Sequence, residues 1–193
     1  MEFNDDNKKL TFFLADALGI LPDVWTNPDA GDEQVEVLRL RDAVSPDKFI
    51  HCSLGLSDYE NLNEIDGKKQ DIRIELLMGE YSHDDMATTF IIFISRLMIK
   101  HNYNCTRGSV FFGTVEHYLP GSDMKHCFFT TPYLWQDKLS GLSLDSKAVT
   151  FLHCIPISDR ELEYHTLNGY EALTTLLQKN NADIHDYKRR SII

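Results

Sequence analysis

An α+β fold, a single compact domain with a central mixed β-sheet packed by a few helices, is what this sequence predicts, on three observations. Alternating apolar segments of strand length recur along the chain. Helical periodicity interrupts them only a few times, and the two do not take turns as a regular βαβ winding would require. The 193 residues, 42% hydrophobic and 25% charged, have the size and composition of one globular domain, with no repeat, low-complexity stretch or long linker to divide it. The chain therefore reads as one domain over 1–193, with a core of about 10–180 and a polar tail at 181–193.

Leu10, Phe13, Leu14, Ala17 and Leu18 recur at helical spacing, and Gly19 and Pro22 end that helix. A Pro-, Asn-, Asp- and Gly-rich loop over 20–33 carries Trp25. Strands follow at about 34–41 and 48–54, separated by the Ser45-Pro46-Asp47 turn. Residues 57–69 read as an acidic loop. Ile72, Ile74, Leu76 and Met78 then alternate with Asp71, Arg73, Glu75 and Leu77, a strand with one apolar and one mostly polar face. Ser82 and Asp85 form a capping-box pattern that opens a helix to about His101, and its all-apolar run at 90–94 suits a deeply wedged helix.

Further strands are expected at 109–113, 126–131 and 148–155. A second capping box at Ser158 and Glu161 starts a helix that stops at Asn168-Gly169, and Ala172, Leu173, Leu176 and Leu177 mark the last one. The basic end, Tyr187-Lys188-Arg189-Arg190, is expected to fray. The expected core includes Leu14, Leu18, Ile74, Leu76, Ile91, Ile94, Phe129, Phe151, Leu173 and Leu176.

Nineteen basic against thirty acidic side chains leave a net charge of −11, which repels phosphate backbones and excludes unspecific nucleic-acid binding. Residues 1–66 hold 15 acidic and 5 basic side chains, or −10, so the first third carries nearly the whole field. Solvated, solubilising loops account for this, as does a landing surface for a basic partner. Mean hydropathy is −0.30 and no apolar run approaches the roughly 20 residues of a spanning helix, so no membrane role is expected. The acidic start, Met1-Glu2-Phe3-Asn4-Asp5-Asp6, lacks a secretory n-region. Cys52, Cys105, Cys127 and Cys154 show no CxxC and read as buried thiols, which places the protein in the cytoplasm.

Catalytic signatures are sparse. No GxG or GxxxxGK cradles a phosphate, and Gly55-Leu56-Ser57-Asp58-Tyr59 breaks the nucleophile-elbow pattern at its second glycine. His-Cys pairs occur at 51–52, 126–127 and 153–154, but strand neighbours point to opposite faces, so no pair converges on one ion. A cross-strand set of Cys52, Cys127 and Cys154 is the alternative to core thiols, which account for the pattern more simply. Glu36 and Glu75 could face each other on neighbouring strands, with His51 or His126 as proton shuttle, giving a hydrolase as the enzymatic alternative. A solvated polar face explains both carboxylates more simply. No metal, cofactor or catalytic residue is expected.

Several segments, in order, resemble the Suppressor of fused family, in its short single-domain bacterial branch. They are residues 35–40, 49–58 and 72–78, then Ile155-Pro156-Ile157-Ser158, Glu161-Leu162-Glu163-Tyr164, Asn168-Gly169, and Ala172-Leu173 with Leu176-Leu177. The resemblance spans roughly 10–180, and Gly-Leu-Ser-Asp with Glu-Leu-x-Tyr at this separation is its most specific part. It implies a mixed-sheet α+β domain acting as a binding protein rather than an enzyme. The animal member restrains zinc-finger transcription factors but uses a second domain, and its role does not carry over. Bacterial members resemble immunity factors of polymorphic toxin systems, inferred largely from gene arrangement. Residues 102–120 depart from the family pattern.

The expected function is thus stoichiometric binding of a protein partner, a basic toxin domain in the bacterial case. The candidate surface comprises one loop with Asp23, Asp29, Asp32 and Glu33 and another with Asp58, Glu60, Glu64 and Asp66, with Trp25 and Tyr59 as apolar anchors. An intracellular regulator that takes a peptide by strand addition at a sheet edge is the alternative. Nothing in the sequence selects an oligomeric state.

Overall fold

In the computed structural model, residues 4–18, 23–25, 35–41, 47–81, 86–135, 138–139 and 141–193 are described, with backbone alone at 23–25. Helix α1 (Asp5–Leu18) precedes strands β1 (Asp23–Trp25), β2 (Glu36–Arg41) and β3 (Lys48–Leu54). A 3-10 turn (Leu56–Asp58) leads to β4 (Leu62–Ile65), β5 (Lys68–Asp71), β6 (Arg73–Tyr81) and α2 (Met86–His101). Then come β7 (Val110–Phe111), β8 (Met124–Thr130), a 3-10 turn (Tyr133–Trp135), β9 (Leu142–Ser143), β10 (Ala148–Ser158), α3 (Asp159–Asn168) and α4 (Tyr170–Lys179). The main sheet runs β1-β2-β3-β6-β10-β8-β7, with β9 also on β10, and β4–β5 form a separate hairpin. Strands β6 and β10 pair in parallel and the other pairs are antiparallel, so the sheet is mixed. A parallel pair needs a long crossover, and here α2 lies within it.

Period-two alternation sorts the apolar side chains onto two faces. Ile74, Leu76, Met78, Cys127, Phe129, Leu152 and Cys154 meet Phe90, Ile91 and Ile94 of α2. On the other face Leu38, Leu40, Ile50, Leu77 and Phe151 pack under Leu10 and Leu14 of α1. Phe128, Ile155 and Ile157 continue that face under Leu173 and Leu177 of α4. Nine of the ten expected core residues are buried; Leu176 is half-buried, its place taken by Leu177.

Two expectations change. Strand β6 is covered on both sides, so Glu75 and Leu77 are buried where a polar face was expected. The end of the chain does not fray: Ile184, His185, Tyr187 and Arg189 are buried. Glu161 closes the capping box with Ser158 and also takes Arg189 in a two-pronged ion pair at 2.6 and 2.8 Å, while Tyr187 Oη donates to the Gly79 carbonyl. A polar composition concealed the anchoring because its decisive residue is a cation whose acceptor sits 28 positions away. The Ser82–Asp85 box lies outside the described residues; the amides of Met86 and Ala87 are capped by Glu80 Oε2, at 3.0 and 2.9 Å.

Candidate functional site

Residues 57–69, expected as a loop, contain most of a hairpin, all of β4 and the first half of β5. Asp66 and Gly67 both take positive φ, 51° and 72°, as a two-residue type I′ connection requires, and Asp-Gly is the sequence signal for it. The hairpin is solvated, with every residue of β5 exposed. Asn61, buried at its root, ties it down: the side-chain amide donates to the carbonyls of Ile72 and Cys105 (both 2.8 Å) and accepts from Cys105 N–H (2.9 Å). Its backbone N–H donates to Asp71 Oδ1.

Glu60, Glu64 and Asp66 are exposed on or beside this hairpin. Their field is moderated, because Glu64 stands opposite Lys69 and Asp71 pairs with Arg73 at 2.5 Å. Asp58 is exposed but engaged: Lys147 pairs with its carboxylate, Asn4 Nδ2 donates to it at 3.3 Å, and Arg73 donates to its carbonyl. Tyr59 is half-buried against the core, which leaves less of its ring for a partner. Asp23 and Trp25 lie in β1, opposite Arg39 and Val37; Asp29, Asp32 and Glu33 lie outside the described residues. Register brings the backbone at Trp25 and the 55–58 turn toward one end of the sheet: Trp25 pairs with Val37, Val37 with Ser53, and the turn follows directly.

Residues 102–120, which depart from the family pattern, contain strand β7. It is the outermost strand at its end of the sheet. Gly108, at φ 91°, makes the turn that starts it: Ser109 N–H bonds Thr106 O, Gly108 N–H bonds Phe129 O, and Phe129 N–H bonds Ser109 O. That two-against-one pattern is a glycine bulge. Three large apolar side chains are exposed around this edge: Leu62, Tyr103 and Phe112. Tyr103 stacks edge-on against Phe111, Leu62 N–H bonds Asn104 Oδ1, and Phe112 lies edge-on to His126.

The residues of the hydrolase alternative do not converge. Strand β3 separates Glu36 on β2 from Glu75 on β6. Glu36 is buried, and burial pushes its carboxyl above the usual range. His51 bonds Thr88 at 2.8 Å and pairs with Glu80 at 2.8 Å. His126 accepts from Gly113 N–H at Nδ1, which leaves Nε2 to carry the proton toward Asp159 at 2.9 Å. All four cysteines are buried free thiols, and burial pushes those of Cys52, Cys105 and Cys127 well up. Cys52 lies in the α1 core and Cys127 and Cys154 in the α2 core, on opposite faces of the sheet. Among the described residues, no group of three or more His, Cys, Asp or Glu is placed to hold a metal ion, and no helix is long and apolar enough to cross a membrane.

A mixed sheet packed by helices on both faces, with an exposed hairpin and exposed apolar side chains beside one edge strand, defines an α+β domain. The chain belongs to the Suppressor of fused (SUFU) family, whose profile matches residues 31–190. It is 30% identical to the immunity protein YqcF of Bacillus subtilis strain 168, over the full length of both chains. Among solved structures it resembles a SUFU homologue from Neisseria gonorrhoeae, with TM-score 0.74 and 15% identity over 98% of this chain and 97% of that one. It also resembles a chain of the Sufu–Fu complex, with TM-score 0.70 and 13% identity over 95% and 91%. Drosophila Suppressor of Fused matches with TM-score 0.56 and 12% identity over 81% of this chain and 42% of that one.

Proposed function

We propose that this chain is an immunity-type protein of the cytoplasm that neutralises a basic toxin domain by non-catalytic, one-to-one binding. The full-length likeness to an immunity protein carries this reading. Its surface is the sheet end bearing the 55–58 turn and the β4–β5 hairpin, with Glu60, Glu64 and Asp66 supplying charge and Leu62 and Tyr103 the exposed apolar contacts. Trp25, in β1, is the proposed aromatic anchor. Acidic rims steer a basic partner and raise association rates by roughly 10–10³-fold, an advantage that salt removes.

The test is a titration of the cognate toxin domain against wild type and a Glu60→Gln, Glu64→Gln, Asp66→Asn variant. Association should slow and its salt dependence flatten in the variant, with the circular dichroism spectrum unchanged. Tyr103→Ala should act instead on dissociation, speeding it roughly tenfold or more, as loss of an aromatic contact does. Unchanged kinetics in both variants would remove this surface from the reading. A regulator that takes an extended peptide is the second reading, favoured by the position of β7 at the outer edge of the sheet. A partner peptide that protects the Val110 amide from exchange would support it.

A further inference from the structure

Glu75 is wholly buried, and among the described residues no cation bonds its carboxylate. Oε1 accepts the backbone N–H of Gly55 and of Ser57, each at 3.1 Å, and Oε2 accepts the Ser53 hydroxyl at 2.5 Å. Ser53 Oγ accepts Leu76 N–H in turn, at 2.8 Å. All three donors to the carboxylate come from residues 53–57, where β3 ends and Gly55 takes φ 98°. That segment leads into Asp58, Glu60 and the hairpin.

We propose that Glu75 is a positioning residue: its ionised carboxylate fastens the 55–58 turn to the sheet, protonation loosens the turn, and the acidic surface is thereby made responsive to pH. The last clause rests on the function proposed above; the tether itself does not. A charged acceptor makes hydrogen bonds roughly twice as strong as a neutral one. Once protonated, Oε2 becomes a donor, so the Ser53 hydroxyl must turn away and both amide bonds to Oε1 become ordinary neutral ones.

Burial drives the group into the relevant range, pushing Glu75 up to about 7 against the downward pull of its donors. The facing groups leave that balance intact. From β3 comes the Cys52 thiol, pushed well up by burial and so protonated at neutral pH. From β10 comes His153, at the next register pair on the same face and kept neutral by burial, which pushes it down to about 3. From the turn comes Asp58, engaged by Lys147, which precedes β10. On its own strand Arg73 is committed to Asp71 and to the Asp58 carbonyl.

The experiment follows the Gly55 and Ser57 amides of 15N-labelled protein, without partner, from pH 5.5 to 8.5. Both resonances should move together with one midpoint near 7, and their exchange protection, corrected for intrinsic rate, should fall roughly 10-fold on the acid side. Glu75→Gln should abolish the transition and hold both amides at the less protected level. Ser53→Ala, which removes a donor to the ionised form, should move the midpoint upward. Flat resonances in wild type, or a transition that survives in Glu75→Gln, would overturn the tether; if that variant does not fold, the wild-type titration decides alone. A chain that titrates as expected yet binds no toxin would refute the proposed function and leave the tether standing.

Discussion

His153 sits wholly buried on β10, beside the rings of Trp135 and Tyr133, and among the described residues neither ring nitrogen has a hydrogen-bond partner. Burial, with a smaller contribution from His185, pushes it down to about 3. The unfolded chain therefore takes up that proton near 6.5 while the folded chain does not, so stability is present above 6.5 and drains away as pH falls toward 3. Glu75 runs the other way: its folded value near 7 lies above the ordinary 4.5, so stability rises as pH falls from 7 to 4.5. Each contributes roughly 2–3 kcal/mol across that window, with opposite sign. Urea unfolding at pH 7 and pH 4.5 separates them. Relative to wild type, His153→Leu should gain stability on acidification and Glu75→Gln should lose it; parallel shifts in both variants would refute the assignment.

Among the elements, the segment after α4 is held by few but specific contacts. Gly79 of β6 leaves room for His185, and a β-carbon there would overlap the imidazole. Gly79→Ala should therefore displace residues 183–189, cost roughly 1–3 kcal/mol as overpacking does, and open the Lys188–Arg190 stretch to trypsin. Arg189→Met removes the cation from a carboxylate that is fully buried, and one-sided removal of such a pair costs about 3–5 kcal/mol. Tryptic mapping with thermal melts checks both, and an uncut tail in Gly79→Ala would show that His185 can move aside. The hairpin behaves differently: solvated and tied at Asn61, it is an element whose surface can be changed with little effect on the core.

For the whole molecule, the sheet separates two apolar layers, one under α2 and one divided between α1 and α4. Leu76 fills the first layer and Phe151 the second, each essentially without solvent exposure. Truncating either to Ala should cost roughly 2–5 kcal/mol, read as a lower midpoint in urea at unchanged m. An unmoved midpoint in either would contradict its placement. The net charge of −11 belongs to this scale too, since long-range steering sums over the molecule and weakens with salt.

By itself the sequence determined the α+β class, strands β2 and β3, the α2 helix, the Ser158–Glu161 cap and nine of the ten core residues it named, because periodicity and capping are local patterns written in neighbouring residues. It also carried the hairpin, in an Asp-Gly pair whose signal was masked by the surrounding acidic charge. Tertiary structure alone decided which polar residues are interior. Glu75 alternates like a surface residue, but β6 lies in mid-sheet with both faces covered, and the 53–57 segment folds back to satisfy it. Arg189 looks like a frayed end until Glu161 is placed beside it. Leu62, Tyr103 and Phe112 come from separate segments and are gathered near one edge. Burial and adjacency are properties of the packed chain, set by contacts between residues far apart in sequence, and no local pattern records them.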